Sequence, residues 1–267
     1  MTEAKPNSED QHAQPREIWE QTVDEGERRL QRDPKGLAAT VLVGGLDVML
    51  GLTAVTVVTG AMLTVTNADL AHVVGSLFFG IALVLVTIGR SELFTENFLV
   101  PVGAVFSGRG SAAALVRMWS ITLVFNLVGL TLLSAVLAIN GVLPAGADTA
   151  VGDLAQTFAD RDLLSAFASA LVGGLVMTLL TWLALAATAD GARIALAMLI
   201  GFLLLAPSLN HAVVGFGEVV LALFSGTSHL GAWDFAWHEA VAILGNLAGG
   251  FAFVTATRLV QVKGEPD

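Results

Sequence analysis

The sequence predicts an all-α membrane protein of six transmembrane helices, and three observations carry that expectation. Of the 267 residues, 55% are hydrophobic and only 13% are charged, where a water-soluble domain averages about 25% charged. The apolar residues gather into segments of the ~20 residues that a helix needs to cross a bilayer. Two of those segments are interrupted by polar residues at what would be mid-membrane depth. One interruption runs Ile88-Gly89-Arg90-Ser91-Glu92-Leu93-Phe94-Thr95-Glu96-Asn97-Phe98-Leu99-Val100, and the other is Pro207-Ser208-Leu209-Asn210-His211. Irregular backbone at that depth is tolerated only where protein covers it or it lines a cavity, and matched breaks point to a transport site.

The elements follow in order. Residues 1–35 make a polar tail with no apolar run of the kind a secretory signal needs. Within it, Trp19, Val23, Gly26 and Leu30 recur at helical spacing beside Glu and Arg over 17–31, which predicts a short amphipathic helix. That helix rests either on the cytoplasmic face of its own bundle or on a neighbouring subunit. The spans are expected at 36–63, at 70–89 continuing as 96–106, at 112–139, at 163–189, at 193–206 continuing as 212–225, and at 236–259. The membrane domain therefore takes in 36–260, with a short tail at 261–267. The connection 140–162 holds Asp148, Asp153, Asp160 and Asp162 against the single Arg161, and 226–235 carries Asp234 with no Lys or Arg. Arg28, Arg29, Arg32, Lys35, Arg109, Arg117, Arg193, Arg258 and Lys263 all fall on the other side if six spans alternate. The excess of cations puts both termini in the cytoplasm, as an even number of spans requires.

Composition also excludes. The chain has no Cys, so disulfides and thiolate chemistry are absent. The net charge is −10, and no basic patch is large enough for nucleic acid. No phosphate loop, metal cluster or nucleophile–base pair is evident, so neither an enzyme nor a cofactor or metal site is expected.

The chain repeats itself. Asn126-Leu127-Val128-Gly129 reappears as Asn246-Leu247-Ala248-Gly249, 120 residues later. The same offset carries Ser91 onto His211 and Leu93 onto Val213, so one break falls on the other. Gly44-Gly45 resembles Gly173-Gly174 at a slightly different offset. Three spans followed by three spans point in opposite directions, which is an inverted repeat with its site expected near the midplane.

Glu92-Leu93-Phe94-Thr95 followed by Asn97, the His211 break, the two Asn positions and the six spans together resemble the formate/nitrite transporter family over about residues 20–260. The resemblance implies an aquaporin-like protomer, a homopentamer with one pore per subunit in a bacterial inner membrane, and passage of small monovalent anions such as formate, nitrite or hydrosulfide, coupled to protons in some members. It further implies that Phe79 and Leu204 form an outer constriction and Leu83 and Leu93 an inner one, beside Met177. Thr95 and His211 would face each other between them. The chain departs from the family pattern at Asn210, where an acid precedes the central His, and at Gly215, Gly174 and Glu96. It therefore looks like a divergent branch.

Residue chemistry supplies the remaining candidates. An imidazole such as His211 titrates near neutral pH, and an ionisable group within the membrane is a functional candidate in its own right. The Thr95 hydroxyl suits an anion, His211, or the cap of the half-helix that follows. Half-helices starting near 96 and 212 would present positive dipole ends to an anion. His12, His72, His229 and His238 read as solvated tail, loop or interface residues. Arg90 at mid-membrane depth must be paired or wet. Asp47 is its first expected partner, with Glu92, Glu96 and Glu218 behind it, and a pore-lining role is the alternative. Three functions stay open: an anion channel or transporter, a non-conducting accessory protein, and a neutral-solute channel.

Overall fold

The computed structural model describes residues 13–264; His12 and the outermost residues of both expected tails lie outside that range. Every element in it is helical, and no strand occurs among the described residues. The helices are α1 (Pro15–Leu30), α2 (Pro34–Met62), α3 (Ala68–Ser76), α4 (Gly80–Gly89), α5 (Val100–Phe106), α6 (Ala112–Leu137), α7 (Ala147–Ala159), α8 (Leu163–Ala186), α9 (Asp190–Leu205), α10 (Ala212–Phe224), α11 (Ala232–Gly250) and α12 (Ala256–Lys263). A 3₁₀ turn at Phe94–Phe98 leads into α5, and a π turn at Phe251–Thr255 joins α11 to α12.

Local signals start most of these helices. Asp33 accepts from the Lys35 and Gly36 amides ahead of α2, Asn67 from Leu70 ahead of α3, Ser111 from Ala114 ahead of α6, and Asp162 from Leu164 and Ser165 ahead of α8. Such side-chain caps satisfy donors that the first turn leaves orphaned. Five stretches are long and apolar enough to cross a membrane: Pro34–Met62, Ala68–Gly89, Ala112–Leu137, Leu163–Ala186 and Ala232–Lys263. The segment expected to supply a further span is divided into α9 and α10, of 16 and 13 residues. Each half is shorter than the ~20 residues a bilayer demands.

Helices α2 and α6 pack against each other, as do α8 and α11, and α4 lies on α9. The first two pairs are built alike. A Cβ on Gly45 would run into the Asn126 carbonyl, and one on Gly174 into the Asn246 carbonyl; Gly44 and Gly173 likewise meet the carbonyls of Glu92 and Asn210. Glycine at these four positions lets the backbones approach as small residues do between membrane helices.

Helix α1 lies on α5, with Ile18, Trp19, Val23, Gly26 and Leu30 buried. Its polar side is tied down by Arg109, which donates to Asp24 at 2.5 Å and to Glu27 at 2.7 Å, and by Arg117, which donates to the Leu30 carbonyl at 3.0 Å. The connection read as an outer loop contains α7, whose Val151, Leu154 and Phe158 join the main apolar core.

Candidate functional site

Helix α4 stops at Gly89, and Arg90 follows it in the left-handed region at φ 57°. Helix α9 stops at Leu205, and Ser208 takes φ 51°. These are the two non-glycine residues with positive φ among those described, and such strain gathers where surrounding structure enforces it. Both breaks expose backbone groups that must find partners. The side chain of Asn126 reaches into the first: Nδ2 donates to the carbonyls of Val41 at 2.6 Å and Glu92 at 3.0 Å, and Oδ1 accepts from the Phe94 amide at 2.8 Å. Asn246 does the same in the second, donating to Ala170 at 2.8 Å and Asn210 at 2.9 Å and accepting from Ala212 at 2.9 Å. Both Asn residues are fully buried.

This matched bonding bears on two expectations. The Asn126 and Asn246 amides, expected along the path, bond to backbone groups of the two breaks and brace them. The register of the repeat also shifts. Glu92 answers to Asn210 and Phe94 to Ala212, 118 residues apart in each case, so Leu93 rather than Ser91 is the counterpart of His211.

The two breaks meet through one side-chain contact: His211 Nε2 lies 2.9 Å from Thr95 Oγ1. The other ring nitrogen, Nδ1, accepts from the Val214 amide at 3.2 Å and caps α10. An amide that donates to Nδ1 leaves the hydrogen on Nε2, so Nε2–H donates to Thr95, and the Thr95 hydroxyl keeps its own hydrogen to give elsewhere. The expected Thr95 cap on a following half-helix does not form. Glu96 and Asn97 take up the Leu93 amide and carbonyl at 3.2 and 3.1 Å, holding a 3₁₀ turn, and α5 begins only at Val100. The N-terminal amides of α10 are also less free than expected, since Ala212 and Val214 have side-chain partners. Around the pair, Phe79, Leu83, Leu93, Leu204 and Met177 belong to one apolar cluster, each at most 1% exposed.

A cavity of about 550 Å³ opens between this region and α1, lined among others by Arg28, Arg29, Arg32, Arg90, Glu92 and Arg193. Glu92 is held by Arg32 in a close ion pair and by Arg29 at 3.8 Å. Arg29 also donates to Asn97 Oδ1 at 3.0 Å, which couples α1 directly to the first break. Glu25, on α1, is pushed up by burial, but hydrogen bonds from Arg28 and Arg29 outweigh that and bring it from 4.5 to about 2.

The expected Arg90–Asp47 pair is not formed. Asp47 Oδ2 accepts from Ser91 Oγ at 2.6 Å, and Arg90 is exposed on the cavity wall. The left-handed turn leaves its side chain exposed at the open cavity, so it needs no buried counter-charge. Glu218, offered as another partner for Arg90, lines a different cavity on the far side of His211. That second space is only about 10 Å³ and is bounded by Phe158, Arg161, Leu205, Ser208, Leu209, His211, Gly215 and Glu218. Arg161 Nη2 donates to the Ser208 carbonyl, and His72 Nε2 lies 3.1 Å from the Leu205 carbonyl and 3.2 Å from Ser208 Oγ. Arg161, Ser208 and His72 were not singled out from the sequence as parts of a site. The one available signal was that Arg161 is the lone cation in an acidic connection. No group of three or more potential metal ligands occurs among the described residues.

Comparison with known proteins is consistent with this architecture. A family profile described as formate/nitrite transporter matches residues 16–260. Over 252 residues the chain is 25% identical to "Inner membrane protein YfdC" of Escherichia coli (strain K12), covering 93% of this chain and 79% of that protein. Over 150 residues it is 35% identical to a "Probable formate transporter" of Methanothermobacter thermautotrophicus, covering 55% and 53%. Among solved structures, an "FNT family ion channel" superimposes with a TM-score of 0.83 at 20% identity, covering 91% of this chain and 98% of that one. A "Pentameric formate channel with formate bound" gives a TM-score of 0.74 at 20% identity, covering 85% and 97%.

Proposed function

Because the chain belongs to the formate/nitrite transporter family, we propose that it carries small monovalent anions of the formate, nitrite or hydrosulfide class across a bacterial inner membrane, past His211 and Thr95. Membership places it among membrane transport proteins rather than enzymes. The single observation that carries the residue assignment is the 2.9 Å contact between His211 Nε2 and Thr95 Oγ1. It brings together one side chain from each break beside a cluster of buried apolar residues.

In this reading six spans alternate, with α4 and α5 as halves of the second and α9 and α10 as halves of the fifth, in an aquaporin-like inverted repeat. The cation-rich side bearing α1 is cytoplasmic. Phe79 and Leu204 form the outer constriction, Leu83 and Leu93 the inner one, and they strip water from the passing ion. Between them the anion accepts a hydrogen bond from the Thr95 hydroxyl, which His211 Nε2–H supports from behind. Protonating Nδ1 would expel the Val214 amide and uncap α10, so the anion meets a neutral imidazole in this arrangement. The apolar side chains left exposed on the single chain, such as Val116, Val124, Leu132 and Leu244, suit lipid and the neighbouring subunits of a pentamer.

The test is formate and nitrite flux into liposomes holding the purified protein or its His211→Ala variant, with oligomer mass measured in parallel. The variant is expected to assemble normally and lose most of its flux. Flux equal to the parent's would overturn the role of His211.

A further inference from the structure

The path just described leaves two acids unused, the buried Glu239 on α11, whose carboxylate oxygens have no hydrogen-bond partner among the described residues, and Glu218 on α10. Glu218 follows His211 by two turns of α10, and residues seven apart share a helix face. Both line the small outer cavity with Arg161 and Ser208. Its volume of about 10 Å³ is close to the least that holds one water, so charges there are weakly screened. Arg161 shares this space with Glu218. Yet its guanidinium donates to the Ser208 carbonyl, and no ion pair joins it to Glu218 among the described residues. An ionised carboxylate facing an arginine in a nearly dry space should take that cation from a neutral carbonyl, because charge-assisted hydrogen bonds are about twice as strong. Glu218 is thus a carboxyl in a nearly dry space with no ion-pair partner among the described residues, the setting in which such a group takes up a proton.

We propose that Glu218 is the proton-binding residue of the outer mouth, and that the mouth takes in an anion more readily while Glu218 holds its proton. With the proton bound, the mouth carries the charge of Arg161 alone, and Arg161 pins the break at Ser208. Without it, the mouth is neutral overall, and Arg161 leaves Ser208 for the carboxylate. At an effective dielectric near 20, losing one unit of attraction a few ångströms from the ion changes its occupancy roughly tenfold or more. The other titratable groups facing this mouth are His211 on the same helix, His72 on Ser208, and His238, whose ring packs on Phe158 at 5.7 Å. The elements packed on α10 also carry acids, among them Glu239 on α11, Asp153 on α7 and Asp160 at the end of α7, so Glu239→Gln is measured beside Glu218→Gln and should leave the response in place.

The inference rests on the anion-transport reading, and the experiment separates the two. Formate uptake is measured in liposomes with the interior held at constant pH and the exterior varied between about 5 and 8, and it is compared with the undissociated acid that crosses protein-free liposomes. The parent should lose roughly tenfold in rate as the exterior becomes alkaline. Glu218→Gln should keep the acid-side rate throughout, and Glu218→Asp should keep the response with a displaced midpoint. A Gln variant with the parent's profile, or one that assembles but passes nothing at any pH, overturns the proposal. If the Gln variant fails to assemble, an unmoved midpoint in the Asp variant overturns it. Infrared titration of the carboxyl C=O band supplies a readout independent of flux. A band that disappears in Glu218→Gln supports the assignment; a parent that passes no anion while showing that band refutes the transport reading and the admission role with it, and absence of the band refutes Glu218 as a proton site.

Discussion

Replacing Asn246 by Ala tests whether the breaks are held as described. The substitution removes two donors and one acceptor from a fully buried position. The Ala170 carbonyl lies inside α8 and keeps its helical partner, so its loss matters little. The Ala212 amide and the Asn210 carbonyl have no such reserve. Each buried group left unpaired costs about 1–3 kcal/mol, which gives about 2–6 kcal/mol for the variant. For a chain of this size that is roughly a 4–24 °C fall in apparent melting temperature, read by intrinsic tryptophan fluorescence of the purified protein in detergent. Asn126→Ala orphans the Phe94 amide and the Glu92 carbonyl and should cost a similar amount. A fall of less than about 2 °C for either variant, or costs differing severalfold between the halves, would refute the idea that two equivalent braces hold the breaks.

Three further outcomes are expected. Glu25 sits at about 2 instead of 4.5; a depressed carboxyl stabilises the folded arrangement above its ordinary value and loses that contribution as pH falls from there through about 2. Hydrogen exchange of α1 should therefore accelerate across that acid window, and Glu25→Gln should show the faster exchange already at neutral pH; equal rates in the two proteins at neutral pH would contradict it. Arg90→Gln and Asp47→Asn should combine additively, within about 0.5 kcal/mol, because no ion pair joins them; a double variant more stable than either single one would restore the pair. Trp119→Phe removes the 2.9 Å bond to the Asn97 carbonyl and should cost about 1–3 kcal/mol; an unchanged melting temperature would show that this carbonyl has another partner.

The apolar segments and both breaks were legible in the sequence, because polar residues inside an apolar run have few explanations. The meeting of Thr95 with His211 was expected from the family resemblance, not from the apolar pattern. The register of the repeat was not. Asn126 and Asn246 stand 120 apart, but the groups they bind stand 118 apart, and only the hydrogen bonds reveal the two-residue difference. The start of α5 was misjudged because Glu96 and Asn97 satisfy backbone groups of the break with their own side chains, a competition that apolar periodicity does not register; Pro101 near the helix start suits the later beginning. Helix α7 was missed because attention to its acids hid the spacing of Val151, Leu154 and Phe158. The Arg90 pairing failed because position along the chain was equated with depth. A left-handed residue redirects the chain, and the side chain emerges into a vestibule instead of a core.

The unequal spacing of the two braces has a practical side. Asn126 lies 85 residues from Val41, whereas Asn246 lies 76 from Ala170; it lies 32 from Phe94, whereas Asn246 lies 34 from Ala212. The same joint is thus assembled with different lengths of chain between its parts. Closing a longer loop adds little entropy, about 0.6 kcal/mol per doubling, so the joints do not dictate the length of what connects them. The turns at 63–66 and 225–231 are therefore natural places to splice in an epitope, a protease site or a fluorescent reporter, each remote in bonding from the groups that build the breaks.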